Sequence, residues 1–239
     1  MWKCLIIAPV LLVSACGSAH GDAAPQSTRQ FPLSGFDHVA LKGSDDVTVK
    51  IGPQFVVSAS GPQAVLDQLD IHVDGNTLKV GRKDRTGWHF GWSRGSYRGA
   101  IVSVTMPAIS GAALAGSGDM TINEAEAASF TAGLAGSGDL RILGAKLAAL
   151  SVDLAGSGDV KLAGEAQQTK IALAGSGNVA AAGLTSVDAD ISVAGSGNVN
   201  LRTTGQAKIS LIGSGDVTIA GTNRCAISKT GSGDVRCTP

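Results

Sequence analysis

The sequence predicts an all-β protein, a single parallel β-helix with about 20 residues per coil and irregular coils on its N-terminal side. Three observations predict it. The tripeptide GSG begins at residues 116, 136, 156, 175, 195, 213 and 231, at intervals of 20, 20, 19, 20, 18 and 18. A fixed period of that size marks a repeat architecture. Between the motifs, apolar and polar residues alternate with period two over short segments bounded by glycine, the pattern of strands with one buried face. The composition agrees: 33 glycines supply corners, and 44% hydrophobic residues with only 4% aromatic leave a core of aliphatic side chains. No segment carries an apolar face at helical spacing long enough for a stable helix. Leucine-rich repeats share the period but need a fixed Asn and a helix-side consensus, and neither is present.

The elements follow in chain order. Residues 1–16 are a secretory signal: Met1-Trp2-Lys3 carries one charge, and an apolar run extends from Cys4 to Val13. It is too short for a permanent membrane span. It ends in Val13-Ser14-Ala15-Cys16, a lipobox-like sequence, so Cys16 is the expected lipidation site and the first residue of the mature chain. Gly17 stands where an inner-membrane retention Asp would stand, which favours an outer-membrane address. Residues 17–30 are small and polar and read as a flexible tether. The 19 basic and 19 acidic residues balance, so nothing pulls the chain toward nucleic acid.

Residues 31–110 read as irregular β coils. The stretch GFDHVALKGSDDVTVKIG (35–52) gives two strands, Val39/Leu41 and Val47/Val49/Ile51, around a degraded GSDD corner. QFVVSASGP is a further strand, and QAVLDQL (63–69) is the one plausible helical turn. LDIHVDGNTLKVGRK (69–83) is a hairpin turning at Asp74-Gly75-Asn76.

An insertion at 82–99, RKDRTGWHFGWSRGSYRG, gathers Trp88, Phe90, Trp92 and Tyr97 with Arg94 and Arg98. In a chain so poor in aromatics this is the strongest local anomaly. Trp88, Trp92, Tyr97, Arg94 and Arg98 are the candidate ligand contacts. Trp and Tyr stack on sugar rings, and Arg pairs with carboxylate or phosphate. The alternative is a structural cap, the rings folding back over the open end of the β-helix.

Residues 111–239 are the regular repeats. After each corner comes an apolar-x-apolar run, from Met120/Ile122 to Val235/Cys237. Before each corner comes a second run, such as Leu150/Val152/Leu154. Stacked coils place equivalent residues about 4.8 Å apart, so a corner used once is used at every coil. Gly permits φ > 0, and Ser with Asp or Asn accepts backbone hydrogen bonds in tight turns. The column Asp119, Asp139, Asp159, Asn178, Asn198, Asp216, Asp234 is therefore expected to be a structural turn ladder. Calcium is the competing use of a carboxylate column, but the neutral Asn178 and Asn198 would weaken a hard-cation site while preserving a turn. No metal and no cofactor is expected. Cys225 and Cys237 fall near one corner of adjacent terminal coils and are expected to form a disulfide in an oxidising compartment.

The order GFD-x-V, a strand ending Ile51-Gly52, VVSASGP, a helical turn, DGNTLKV, VSVTMP and then GSGD repeats resembles the auto-transporter adhesin head, GIN-domain family. The resemblance covers roughly residues 31–237. It implies a right-handed β-helix related in shape to pectin lyases, no assigned catalytic residues and a role in adhesion. The 82–99 insertion departs from the pattern.

Four histidines (20, 38, 72, 89) are dispersed without metal-ligand spacing. GSGD precedes a strand, whereas phosphate loops open a helix. The expected function is thus a non-catalytic, exported cell-envelope lipoprotein. It would be held to the membrane by its lipid anchor and would present a rigid β-helix to a glycan or an envelope or surface protein. The alternative is a polysaccharide-processing lyase or hydrolase on the same scaffold, with stacked Asp139 and Asp159 as its candidate carboxylates.

Overall fold

The structure, a computed structural model, describes residues 26–83 and 99–239. The N-terminal part contains β1 (Gln26–Phe31), β2 (His38–Gly43), β3 (Asp46–Ile51), β4 (Val56–Pro62), the single turn of helix α1 (Gln63–Leu66), β5 (Leu69–Asp74) and β6 (Thr77–Arg82). The chain continues through β7 (Ile101–Met106), β8 (Gly111–Gly116), β9 (Met120–Ile122) and β10 (Ala125–Gly136). Three long bent strands follow, β11 (Leu140–Gly156), β12 (Asp159–Gly175) and β13 (Asn178–Gly195). The last coils are β14 (Val199–Thr203), β15 (Ala207–Gly213), β16 (Val217–Ala220), β17 (Cys225–Gly231) and β18 (Val235–Thr238).

From β8 onward the pairing is parallel, with like residues in register. Gly116, Gly136, Gly156, Gly175, Gly195, Gly213 and Gly231 form one column. Leu114, Leu134, Leu154, Leu173, Val193 and Leu211 form an interior file, each at most 2% exposed. Each coil has three inward runs. In the coil of β11 these are Leu140/Ile142, Ala145/Leu147 and Leu150/Val152/Leu154. A buried aliphatic side chain contributes about 1.5–3 kcal/mol. A single coil would leave both its ends open to water, so the stack is the unit of stability.

The unequal repeat lengths are absorbed away from the GSG corner. Register shifts fall between the first and second runs, at Ile142/Ala145, Lys161/Ala163 and Ala181/Thr185. The glycine corner cannot vary because its backbones touch. The first glycine of each corner takes φ between +122° and +139°. A Cβ on the second, such as Gly158, would run into the carbonyl oxygen of Gly138 in the coil before it.

The irregular part belongs to the same stack. β2 pairs in parallel with β8 and with β6, and β3 pairs in parallel with β9 and with β7. So β2–β3 is one coil and β6–β7 another, before the regular repeats begin. Beyond them the direction reverses: β4 runs antiparallel to β7, β1 to β4 and β5 to β6. With Phe36, Val65 and Leu66 these strands close the N-terminal end. The helical turn stands where the sequence places it. The hairpin turns through Gly75 and Asn76.

One boundary needs correction. Gln26 to Gln30, expected to finish a flexible tether, are in β1, paired residue by residue with β4 from Gln26↔Pro62 onward. β1 is half-exposed and almost wholly polar, so no hydrophobic alternation announced it.

Candidate functional site

The outward side of the run that leads into the corner is the candidate site. Along it the stack aligns Ala115, Ala135, Ala155, Ala174 and Ala194 in one file. A second file, two residues earlier, holds Ala113, Gly133, Asp153, Ala172 and Ser192. These small side chains floor a mostly apolar groove of about 1240 Å³. The repeat explains the file: the Ala of each AGSG must point outward, because the preceding Leu or Val points in.

The N-terminal end of the groove is basic. Lys42, Lys79, Arg82 and Lys83 line it together with His72 and Asp70. The Lys79 ammonium pairs with Asp74, and Lys83 Nζ donates to the Asp67 carbonyl oxygen at 3.0 Å. Lys42 has no partner among the described residues. A neighbouring groove of about 620 Å³ on the same face is polar, with Lys170, Asp188, Asp190 and Lys208.

A buried carboxylate ties Arg82 to Ala100, on either side of the insertion. Asp45, fully buried, accepts from Arg82 Nε at 2.9 Å, from Arg82 Nη2 at 2.8 Å and from the Ala100 amide at 2.8 Å. Hydrogen bonds to this carboxylate, opposed by partial burial, push the Arg82 pKa up. Sequence reading took GSDD as a degraded corner and missed this role. The signal was an acidic residue in place of the second glycine. The candidate contacts Trp88, Trp92, Arg94, Tyr97 and Arg98 lie outside the described residues, as does Cys16.

The predicted ladder forms a continuous chain of hydrogen bonds. Asp46 Oδ1 accepts the Asp119 amide at 3.0 Å, and Asp119 Oδ1 accepts that of Asp139 at 3.0 Å. The series continues through Asp159 at 3.2 Å, Asn178 at 3.1 Å and Asn198 at 3.2 Å. It ends with the Asp216 and Asp234 amides, each at 2.9 Å. Asn178 and Asn198 also donate their side-chain amides to the side-chain oxygen one rung earlier, on Asp159 and Asn178, at 2.9 and 3.0 Å. Arg141 bridges Asp119 and Asp139, at 3.3 and 2.5 Å. Asp46 is a rung that the period alone did not reveal, because 73 residues separate it from Asp119.

A second cluster gathers residue types used in hydrolysis. His38 Nδ1 lies 2.8 Å from Asp37 Oδ1, and Ser110 Oγ donates to Asp37 Oδ2 at 2.7 Å. Asn76 Nδ2 donates to Asp37 Oδ1 at 2.7 Å. The Ser110 hydroxyl, then the His38 ring, hold the Asp37 carboxyl below its ordinary 3.8. The wiring is unlike that of a catalytic triad, in which serine bonds the histidine and the carboxylate stands behind it. Here Ser110 Oγ bonds the carboxylate and lies 3.4 Å from His38 Nδ1, the same ring nitrogen that faces Asp37. The ring therefore does not stand between serine and carboxylate, and the group joins β2, β8 and the hairpin turn. Cys225 and Cys237 form a disulfide with Cα atoms 6.7 Å apart, closing the last two coils. No helix among the described residues is long and apolar enough to cross a membrane.

The profile of a family described as "Putative auto-transporter adhesin, head GIN domain" matches residues 35–223. The chain belongs to this GIN-domain family. Among solved structures, a putative adhesin from Bacteroides fragilis is 21% identical, with a TM-score of 0.77 over 90% of this chain and 97% of that one. A putative lipid binding protein from Parabacteroides distasonis is 22% identical, with a TM-score of 0.68 over 90% and 96%. A putative adhesin from Parabacteroides merdae is 17% identical, with a TM-score of 0.64 over 89% and 95%. These similarities show a shared fold. No protein of curated function matches the chain.

Proposed function

We propose that this GIN-domain protein is an exported, Cys16-anchored envelope lipoprotein that works by binding and not by catalysis. Its rigid solenoid presents the alanine-floored groove to a ligand at the cell envelope. The groove is the observation that carries the reading. It is a concavity of about 1240 Å³, and large, mostly apolar concavities with a few polar groups at one end are the usual form of a binding site. The adhesin family, and a structural neighbour described as lipid binding, support the same reading. The insertion between Arg82 and Gly99 begins at the basic end of the groove, so its Trp and Arg residues are proposed as further contacts.

The enzyme alternative rests on the Asp37–His38–Ser110 group and on stacked Asp139 and Asp159. In both places the carboxylates already accept hydrogen bonds that hold the fold together. The test is capture from envelope extracts, covering glycans and lipids, with assay for product. Binding without turnover, lost in Ala155→Phe/Ala174→Phe or in Trp88→Ala/Trp92→Ala, supports the proposal. Turnover of an acidic glycan that Ser110→Ala or Asp159→Asn abolishes would replace it with the enzyme. For the anchor, Cys16→Ala should move the protein from the membrane to the soluble fraction.

A further inference from the structure

We infer that the groove takes a single-chain amphiphile with an anionic head. The tail would lie along the file from Ala115 to Ala194 and the acid group against Lys42 and Lys79. This rests on the reading of the groove as the binding site and specifies its ligand. Three features of the groove converge on it.

The first is length. Five stacked strands contribute the alanine file. At about 4.8 Å between strands the file runs roughly 19 Å. The hydrocarbon core of a bilayer is about 30 Å thick, so one leaflet's chains are about 15 Å long. A lipid-length chain fits the file with its head at one end.

The second is surface chemistry. Alanine methyls, each next to an inward Leu or Val, make a shallow, uniform apolar floor that offers a hydrocarbon chain contact without a hydrogen-bonding demand. No Trp, Tyr or Phe is among the described residues lining the groove. A glycan laid along it would lose water from its hydroxyls and meet few polar partners.

The third is charge. Lys42, Lys79, Arg82 and Lys83 stand at the N-terminal end. Arg82 is committed to Asp45, Lys79 is shared with Asp74 and Lys83 donates to the Asp67 carbonyl oxygen, which leaves Lys42 as the cation with no partner among the described residues. Asp153 is exposed in the second file, midway along. It repels a second anion from the middle of the groove, so the head has one favourable end and the ligand one orientation.

The experiment measures equilibrium dialysis of the purified full-length protein against palmitate, with hexadecanol as the uncharged comparison. The account expects saturable binding of one palmitate per chain. Hexadecanol should bind about tenfold more weakly, a factor equal to about 1.4 kcal/mol. Ala155→Phe/Ala174→Phe, which fills the floor from the solvent side, should remove binding. Lys42→Glu/Lys79→Glu should weaken palmitate about tenfold and leave hexadecanol unchanged. Lys170→Glu, in the polar neighbouring groove, should change nothing. All variants are read beside their thermal midpoints, so a loss of fold is not mistaken for a loss of site. Equal affinity for acid and alcohol, indifference to the floor variants, or binding only to phosphatidylglycerol vesicles would overturn the inference. Groove-dependent capture of some other envelope component, with no palmitate bound, would overturn it and leave the binding function standing.

Discussion

The corner at 43–46 and the corner at 156–159 occupy the same column of the stack and solve different problems. At 156–159 the sequence is Gly-Ser-Gly-Asp, and a coil lies on each side. The second glycine is forced, because the neighbouring carbonyl occupies the space of a side chain. At 43–46 the sequence is Gly-Ser-Asp-Asp. The neighbouring coil on its outer side has no GSG corner there; it presents Arg82 and the Ala100 amide. The space that glycine must leave empty elsewhere is filled by the Asp45 carboxylate, which binds Arg82 and the Ala100 amide. The comparison teaches that the repeat is a record of backbone contact. Where the contact ends, the glycine ends, and a carboxylate takes over as the fastening.

Breaking the inner corner should have the largest effect. Gly158→Ala, which forces apart two coils in the middle of the stack, is expected to cost more than about 3 kcal/mol, visible as a fall of roughly 10 °C in Tm or as failure to fold. Gly133→Ala in the same stack meets nothing within 4 Å and should change stability by less than about 1 kcal/mol, in the stabilising direction. Breaking the outer corner comes next. Asp45→Ala strands Arg82 and a buried amide and is expected to cost about 2–3 kcal/mol, measured by urea unfolding. Cys225→Ser/Cys237→Ser should cost about 2 kcal/mol, confined to the terminal coils, since the bridge closes a short loop. Hydrogen exchange should then rise in β17 and β18 while β10–β13 stay protected.

Smaller effects sharpen the account of the ladder. Asp159→Asn keeps the acceptor and should stay within about 0.5 kcal/mol of the parent, as Asn178 and Asn198 do at their own rungs; Asp159→Ala should cost about 1 kcal/mol. The smallest effect is a pH dependence at the N-terminal cap. The Asp37 carboxyl is depressed in the folded state, so its contribution is complete above the unfolded value near 3.8 and disappears as pH falls through the folded value. Asp37→Asn should therefore lower Tm by about 1–2 °C at pH 7, a small effect because the group is half-exposed, and the difference should shrink as pH falls below the unfolded value.

The stack was legible in the sequence because every coil repeats the same contact. The Leu134–Leu154–Leu173 file, the ladder, the second glycine and the cysteine bridge all follow from a period of about 20. The N-terminal cap was less legible. Its strands reverse direction, so β1 carries no column mate and only a weak polar alternation. Asp46 joins the ladder from 73 positions before Asp119, a distance no period reveals. The groove was hidden for another reason. Its floor is built from alanines that, one coil at a time, look like filler. Only alignment of the coils turns them into a surface.

The most direct test of the central claim is amide hydrogen exchange at the corners 137–139, 157–159 and 176–178, read against the hairpin turn at 75–76. Those corner amides donate to the coil before, as Ser157 does to Gly136 and Asp159 to the Asp139 carboxylate. They should be as protected as the strands they join, opening only with the whole stack. Exchange at the rate of the exposed turn would mean that the corners are loops between strands, and the account of the repeat would be wrong.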